Sequence, residues 1–156
     1  MAGKIQKEIK QTKPPANLAE EAFLNIQRTA DAMLNEVAAA LKPAGLTPTQ
    51  YNVLRILRGA HPQGVKCGQV AERMITRDPD ITRLMDRMEA RGLVTRVRSD
   101  QDRRQVTTSI TSQGLRILKD LDEPIANLHR LQLSRLGSED LRRLIELLER
   151  AREASA

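Results

Sequence analysis

Residues 78–110 read DPDITRLMDRMEARGLVTRVRSDQDRRQVTTSI, and the hydrophobic period changes inside that stretch. Ile81, Leu84, Met85 and Met88 recur at i, i+3, i+4, i+7, the spacing of one buried helical face. Asp78-Pro79 supplies a capping side chain and then a proline suited to a first helical turn. Gly92 is placed to stop the helix. The period then becomes two. Leu93–Arg98 and Gln105–Ile110 alternate and are rich in Val and Thr, with the polar run Ser99-Asp100-Gln101-Asp102-Arg103-Arg104 between them. A helix over 78–91 followed at once by a β-hairpin is the expectation.

Upstream, Thr47-Pro48-Thr49-Gln50 reads as a capping box. It opens a helix that packs through Tyr51, Leu54 and Leu57 and ends near Gly59. A loop at 61–64 and a very short strand from Val65 precede a helix at 67–74 with Val70, Ala71 and Met74 inward. Three helices and a hairpin over 46–110 make a winged helix-turn-helix module. Asn17 caps a long helix whose apolar positions include Leu18, Ala22, Ile26, Met33, Leu34 and Leu41, closed by Pro43 and Gly45. After the hairpin, Thr111 caps a helix over 111–136 carrying Leu118, Leu121, Ile125 and Leu128. Pro124 must kink or break it. Gly137-Ser138 separates a last helix, 138–152, with Leu141, Leu144, Ile145, Leu147 and Leu148 on one face. Residues 1–16 are polar, lysine-spaced and closed by Pro14-Pro15, the signature of a flexible basic tail. The expected fold is mainly α with a small β-hairpin wing. Residues 17–45 and 111–156 are expected to be helical arms on either side of the module.

Charge narrows the partner. The 156 residues carry 26 Lys and Arg against 20 Asp and Glu, a net charge of +6. Residues 1–16 and 66–104 hold the whole excess, while the intervening and following segments balance. Aromatic residues are only Phe23 and Tyr51, which disfavours base stacking as in single-strand or RNA binders and leaves duplex DNA. No run approaches the length of a membrane span, and no apolar stretch in the first residues suggests a secretory signal, so a cytoplasmic location is expected. A single cysteine, Cys67, rules out an internal disulfide and a multi-cysteine zinc site. No catalytic triad, paired-carboxylate pocket or phosphate loop is visible, so neither an enzyme nor a cofactor is expected.

In a helix-turn-helix the second helix enters the major groove. Its outward face here holds Thr82, Arg83, Asp86 and Arg87, with Arg77 just ahead of it. Arginine suits guanine or phosphate, Thr a thymine methyl or phosphate, and Asp86 either cytosine N4 or the orientation of Arg83 or Arg87. At the wing tip, Arg103 and Arg104 suit the negative potential of a narrow minor groove, and Asp102 is expected to fix one guanidinium. The plain alternatives are an ordinary amphipathic surface helix and a solvated turn. They would make the module a scaffold for docking another protein. Cys67 sits at a helix start beside Lys66, conditions that lower a thiol pKa. That leaves thiol redox sensing open beside the simpler reading of a buried small hydrophobe. His61 and His129 are isolated and read as surface residues.

The chain resembles the MarR (multiple antibiotic resistance regulator) family of bacterial transcription factors over roughly 18–150. The likeness rests on ValAlaGluArgMet (70–74), IleThrArgLeuMetAspArgMetGluAlaArgGlyLeuValThrArg (81–96), AspArgArg (102–104) and IleThrSerGlnGly (110–114). It departs from the family at Ile75, where Gly is common, at Ser99-Asp100, where Asp-Pro is usual, and at Lys66, where Thr or Ser is common. The resemblance implies a homodimer interlocked through its N- and C-terminal helices and bound to palindromic double-stranded DNA. Residues 77–87 would then form the recognition helix and Arg103 and Arg104 the minor-groove arginines, anchored by Asp102. It also implies a repressor released by a small lipophilic or phenolic effector, bound against a wall formed by 18–35 and 50–75. Peroxide-sensing members carry their cysteine in the first helix, which this chain lacks.

Overall fold

The computed structural model describes residues 3–153. In chain order these form α1 (Lys4–Glu8), α2 (Leu18–Leu41), α3 (Pro48–Gly59), β1 (Val65–Lys66), α4 (Cys67–Arg73), α5 (Ile81–Ala90), β2 (Val94–Arg98), β3 (Val106–Ile110), α6 (Ser112–Gln132) and α7 (Ser138–Glu153). The fold is mainly helical with a small antiparallel wing. The chain divides into two compact units, 1–121 and 122–156.

The first unit is organised around a three-stranded sheet in the order β1-β3-β2. Val94 pairs with Ile110, Arg96 with Thr108, and Arg98 with Val106, while Val65 pairs with Thr108 from the other side. Val94, Thr108 and Ile110 are buried beside Val53, Leu54 and Leu57 of α3, Val70 of α4, and Leu84, Met85 and Met88 of α5. The helical and two-residue periods thus converge on one core. Leu118 and Leu121 of α6 are buried too.

Local chemistry sets the boundaries. The Asn17 side chain accepts the Glu20 N–H, and Thr47 and Gln50 close a reciprocal capping box. The end of α5 is a Schellman turn. Gly92 (φ +69°) donates to the Glu89 carbonyl at 2.9 Å and Leu93 donates to that of Met88 at 3.0 Å. Thr111 Oγ1 accepts the Gly114 N–H at 3.1 Å and lies 2.7 Å from the Gly92 carbonyl. It thereby joins the start of α6 to the end of α5.

Three expectations are corrected. Of the tail expected over 1–16, residues 1–2 lie outside the described residues, and 3–16 are not uniformly flexible: α1 packs on α2 with Ile5 only 2% exposed, because a single apolar side chain finds cover there, while Lys4, Lys7, Lys10 and Lys13 stay exposed. The helix after the turn starts at Ile81, not at Pro79. Asp78 Oδ1 accepts the Asp80 N–H (2.8 Å) and holds Pro79 in a turn, and Asp80 takes the capping position by accepting the Arg83 N–H (3.2 Å). The helix expected to reach residue 136 ends at Gln132, and Leu133–Leu136 form turns. The open question at Pro124 is answered by a helix that runs through it. Pro124 is exposed, where water can serve the carbonyl that loses its donor.

Apolar side chains remain uncovered in both units. On α2, Leu18, Phe23, Ile26 and Leu34 are exposed. In the second unit, so are Leu131, Leu144, Ile145 and Leu147. No helix among the described residues is long and apolar enough to cross a membrane.

Candidate nucleic-acid interface

The turn between α4 and α5 is tied down by a residue that sequence reasoning missed. Asn52 of α3 accepts the Ile75 N–H at 3.0 Å. The turn amide is thereby satisfied. With Leu84, Met85 and Met88 buried, α5 turns Thr82, Arg83, Asp86 and Arg87 to solvent, and Arg77 is exposed just before it. Arg83 Nε lies 3.3 Å from Asp80 Oδ2, an exposed pair that contributes little and leaves the guanidinium available. Thr82 lines an open cleft of about 540 Å³ together with Lys66, Cys67, Gln69, Arg96 and Arg104. Cys67 is half-buried there.

The wing loop is built differently from expectation. Asp102 does not hold a guanidinium. Its Oδ1 accepts the Arg104 backbone N–H (3.0 Å), its Oδ2 accepts the Gln105 amide (3.3 Å), and its carbonyl accepts the Gln105 N–H (2.9 Å). The adjacent amides lie within hydrogen-bond reach of the carboxylate and take its acceptor positions. Ser99 supplies the other half of the turn: its hydroxyl accepts from Gln101 (3.3 Å) and Asp102 (3.4 Å), and its N–H donates to Gln105 (2.9 Å). Arg103 and Arg104 are left exposed and, like Arg77 and Arg87, carry no ion pair among the described residues.

Asp86 is corrected as well. Its partner is neither Arg83 nor Arg87 but Arg96, on β2. Arg96 Nη2 donates to Asp86 Oδ1, and Nε (2.9 Å) and Nη2 (2.6 Å) both donate to Glu89 Oε2. Donation to Glu89 first and to Asp86 second raises the Arg96 pKa above its ordinary value. Arg96 and Glu89 were not singled out from sequence. Their one visible signal was an Asp-x-x-Glu pair at i, i+3 on α5.

A second cavity of about 150 Å³ lies behind the turn, lined by Leu34 of α2, Pro48, Thr49 and Asn52 of α3, and Ile75 and Thr76. His61 and His129 are both exposed, and His129 Nδ1 meets Gln132 Oε1 at 3.1 Å.

The geometry has counterparts among known proteins. The MarR family profile matches residues 46–106. The crystal structure of a MarR transcription factor from Planctomyces limnophilus is 43% identical, with a TM-score of 0.69 over 85% of this chain and 96% of that one. The HTH-type transcriptional repressor MdtR of Bacillus subtilis is 29% identical over 97 residues, 62% of this chain and 61% of the repressor, so the match spans less than two thirds of that relative. The S. aureus MepR–DNA complex is 18% identical with a TM-score of 0.75 over 83% of this chain and 94% of that one, a likeness of fold.

Proposed function

Because this chain belongs to the MarR family of DNA-binding transcriptional regulators, which are not enzymes, we propose that it acts as a homodimeric repressor reading a palindromic operator. The face of α5 carrying Thr82, Arg83 and Arg87, with Arg77 just ahead of it, enters the major groove, and Arg103 and Arg104 of the wing reach the minor groove. The observation that carries this reading is the pair of wing arginines. They are exposed and carry no ion pair among the described residues, on a loop in which the adjacent carboxylate, Asp102, is engaged by backbone and amide hydrogen bonds. A cation already neutralised gains little from a phosphate, whereas a free one releases counterions on binding. The uncovered apolar faces support the dimer, whose half-sites then lie about one DNA turn apart.

The test is a salt titration on duplex DNA from upstream of the gene, with random DNA as competitor. R103A/R104A is expected to weaken binding and to flatten the slope of log K against log salt by about 2, one contact per lost cation. Unchanged affinity and slope would remove the wing from the mechanism. A wild-type protein without sequence preference at physiological salt would favour a protein-docking scaffold.

The cavity behind the turn is the effector site in this reading. It is walled by Leu34, Pro48 and Ile75, with Asn52, Thr49 and Thr76 as the polar groups. Its size suits one aromatic ring, in keeping with a small lipophilic or phenolic compound. An occupant there would sit against Asn52 and Ile75, whose hydrogen bond fixes the turn in front of α5.

A further inference from the structure

The recognition helix and the wing are joined along the chain at Gly92-Leu93, which by itself leaves the angle between them to side-chain contacts. One side chain bridges the two. Arg96 rises from β2 and meets two carboxylates on α5, Asp86 and Glu89, at sequence separations of ten and seven. We propose that Arg96 is a positioning residue that sets the separation between recognition helix and wing, and through it the preference for operator over other duplex DNA. The proposal rests on the DNA-binding reading above.

Three observations support it. The Arg96 side chain is 23% exposed, against 74% for Arg83, and its cross-strand neighbour Thr108 is fully buried. Its guanidinium is therefore held rather than mobile. The contact uses two nitrogens of a rigid fork, with Nη2 shared between both carboxylates. A lysine ammonium, a single point donor on a flexible stem, cannot reproduce that geometry. Finally, the charge balance runs the wrong way for simple attraction. Two carboxylates against one arginine leave the patch net negative, on a helix that must approach a polyanion. Electrostatics alone favours neutral residues at 86 and 89, whereas triangulating two reading elements requires them. Arg96 lines the cleft beside Thr82 and Arg104, so a shift of the strut moves both reading elements relative to each other.

The experiment takes the duplex that the wild-type protein enriches from a randomised pool. It measures the full-length protein's affinity for that duplex and for a scrambled one of equal length, over a range of salt. R96K is expected to lower the ratio of the two affinities about fivefold, the size of a lost networked ion pair, with the salt slope unchanged. E89Q deletes a negative charge, so scrambled-DNA affinity should hold or rise while the ratio falls by a similar factor. E89Q also leaves Asp86 in place, which separates the strut from any base contact by Asp86. Thermal melts accompany both variants, and if R96K is destabilised, E89Q decides. Equal tightening of both duplexes by E89Q, with an unchanged ratio, would overturn the proposal. So would a salt slope reduced by about 1 in R96Q, which removes the charge that R96K keeps and would therefore mark a direct phosphate contact. If the wild-type protein enriches no sequence, the regulator reading fails first, before any variant is compared.

Discussion

Gly92 shows how one residue carries several structural demands. Its φ of +69° lies in the left-handed region, its N–H closes the Schellman turn onto Glu89, and its carbonyl lies within hydrogen-bond reach of Thr111. A Cβ at this position would lie 3.2 Å from Gln113 Oε1, the movable end of a side chain, so the penalty of Gly92→Ala is conformational rather than steric. The substitution is expected to cost about 1 kcal/mol and to lower the melting midpoint by roughly 3 °C. A thermal melt with no shift would mean that the turn relaxes without strain. Asp102 makes the complementary point. Its carboxylate receives the Arg104 N–H and the Gln105 amide, so it shapes the loop that presents the arginines. Asp102→Asn retains an acceptor, whereas Asp102→Ala leaves the Arg104 amide without one. On charge alone, removal of this carboxylate should favour DNA. The alanine variant is instead expected to bind operator DNA less tightly than the asparagine variant, measured by fluorescence anisotropy at fixed salt. Equal affinities would mean that the loop needs no such anchor.

At the scale of elements, the start of α5 decides how the recognition helix is aimed. Asp80 accepts the Arg83 N–H and Asp78 accepts that of Asp80, so only Asp80 satisfies a helix donor. Asp80→Ala is expected to destabilise the protein by about 1 kcal/mol in urea unfolding, and Asp78→Ala by less. The reverse order would restore the proline-led start expected from sequence. The same contrast shows what was legible. The change from helical to two-residue period at Gly92, the capping box at Thr47, and the outward face of α5 are all local patterns, and the structure places them as read. Arg96 was not legible, because nothing local pairs a strand residue with carboxylates seven and ten positions earlier. Asp102 was misread for the opposite reason: adjacency in sequence suggested a guanidinium, but neighbouring amides compete at shorter reach. The five residues of α1 are too few for a period to show, and only the burial of Ile5 reveals that they fold onto α2.

For the whole molecule, the +6 charge becomes informative only after pairing is accounted for. Within 66–104 the carboxylates of Asp78, Asp80 and Asp102 accept backbone N–H groups and those of Asp86 and Glu89 hold Arg96, while Arg77, Arg87, Arg103 and Arg104 carry no ion pair among the described residues. The apolar surface poses the same question. Phe23 and Ile26 on α2, and Ile145 and Leu147 on α7, are about half exposed, and such stripes on helices with polar opposite faces call for cover. If a second copy supplies it, the protein should sediment at about twice its 17.5 kDa chain mass, and its melting midpoint should rise with protein concentration, because association stabilises the folded form by mass action. The double variant I145E/L147E places two charges in that contact. It is expected to sediment as one chain, to melt independently of concentration, and to lose operator affinity by far more than any single base contact is worth, since two modules no longer bind as one unit. Binding to scrambled DNA should fall much less, because each subunit keeps its own arginines. A wild-type protein that stays at one chain mass at tens of micromolar, with a concentration-independent melt, would mean that these faces are covered by something other than a second copy.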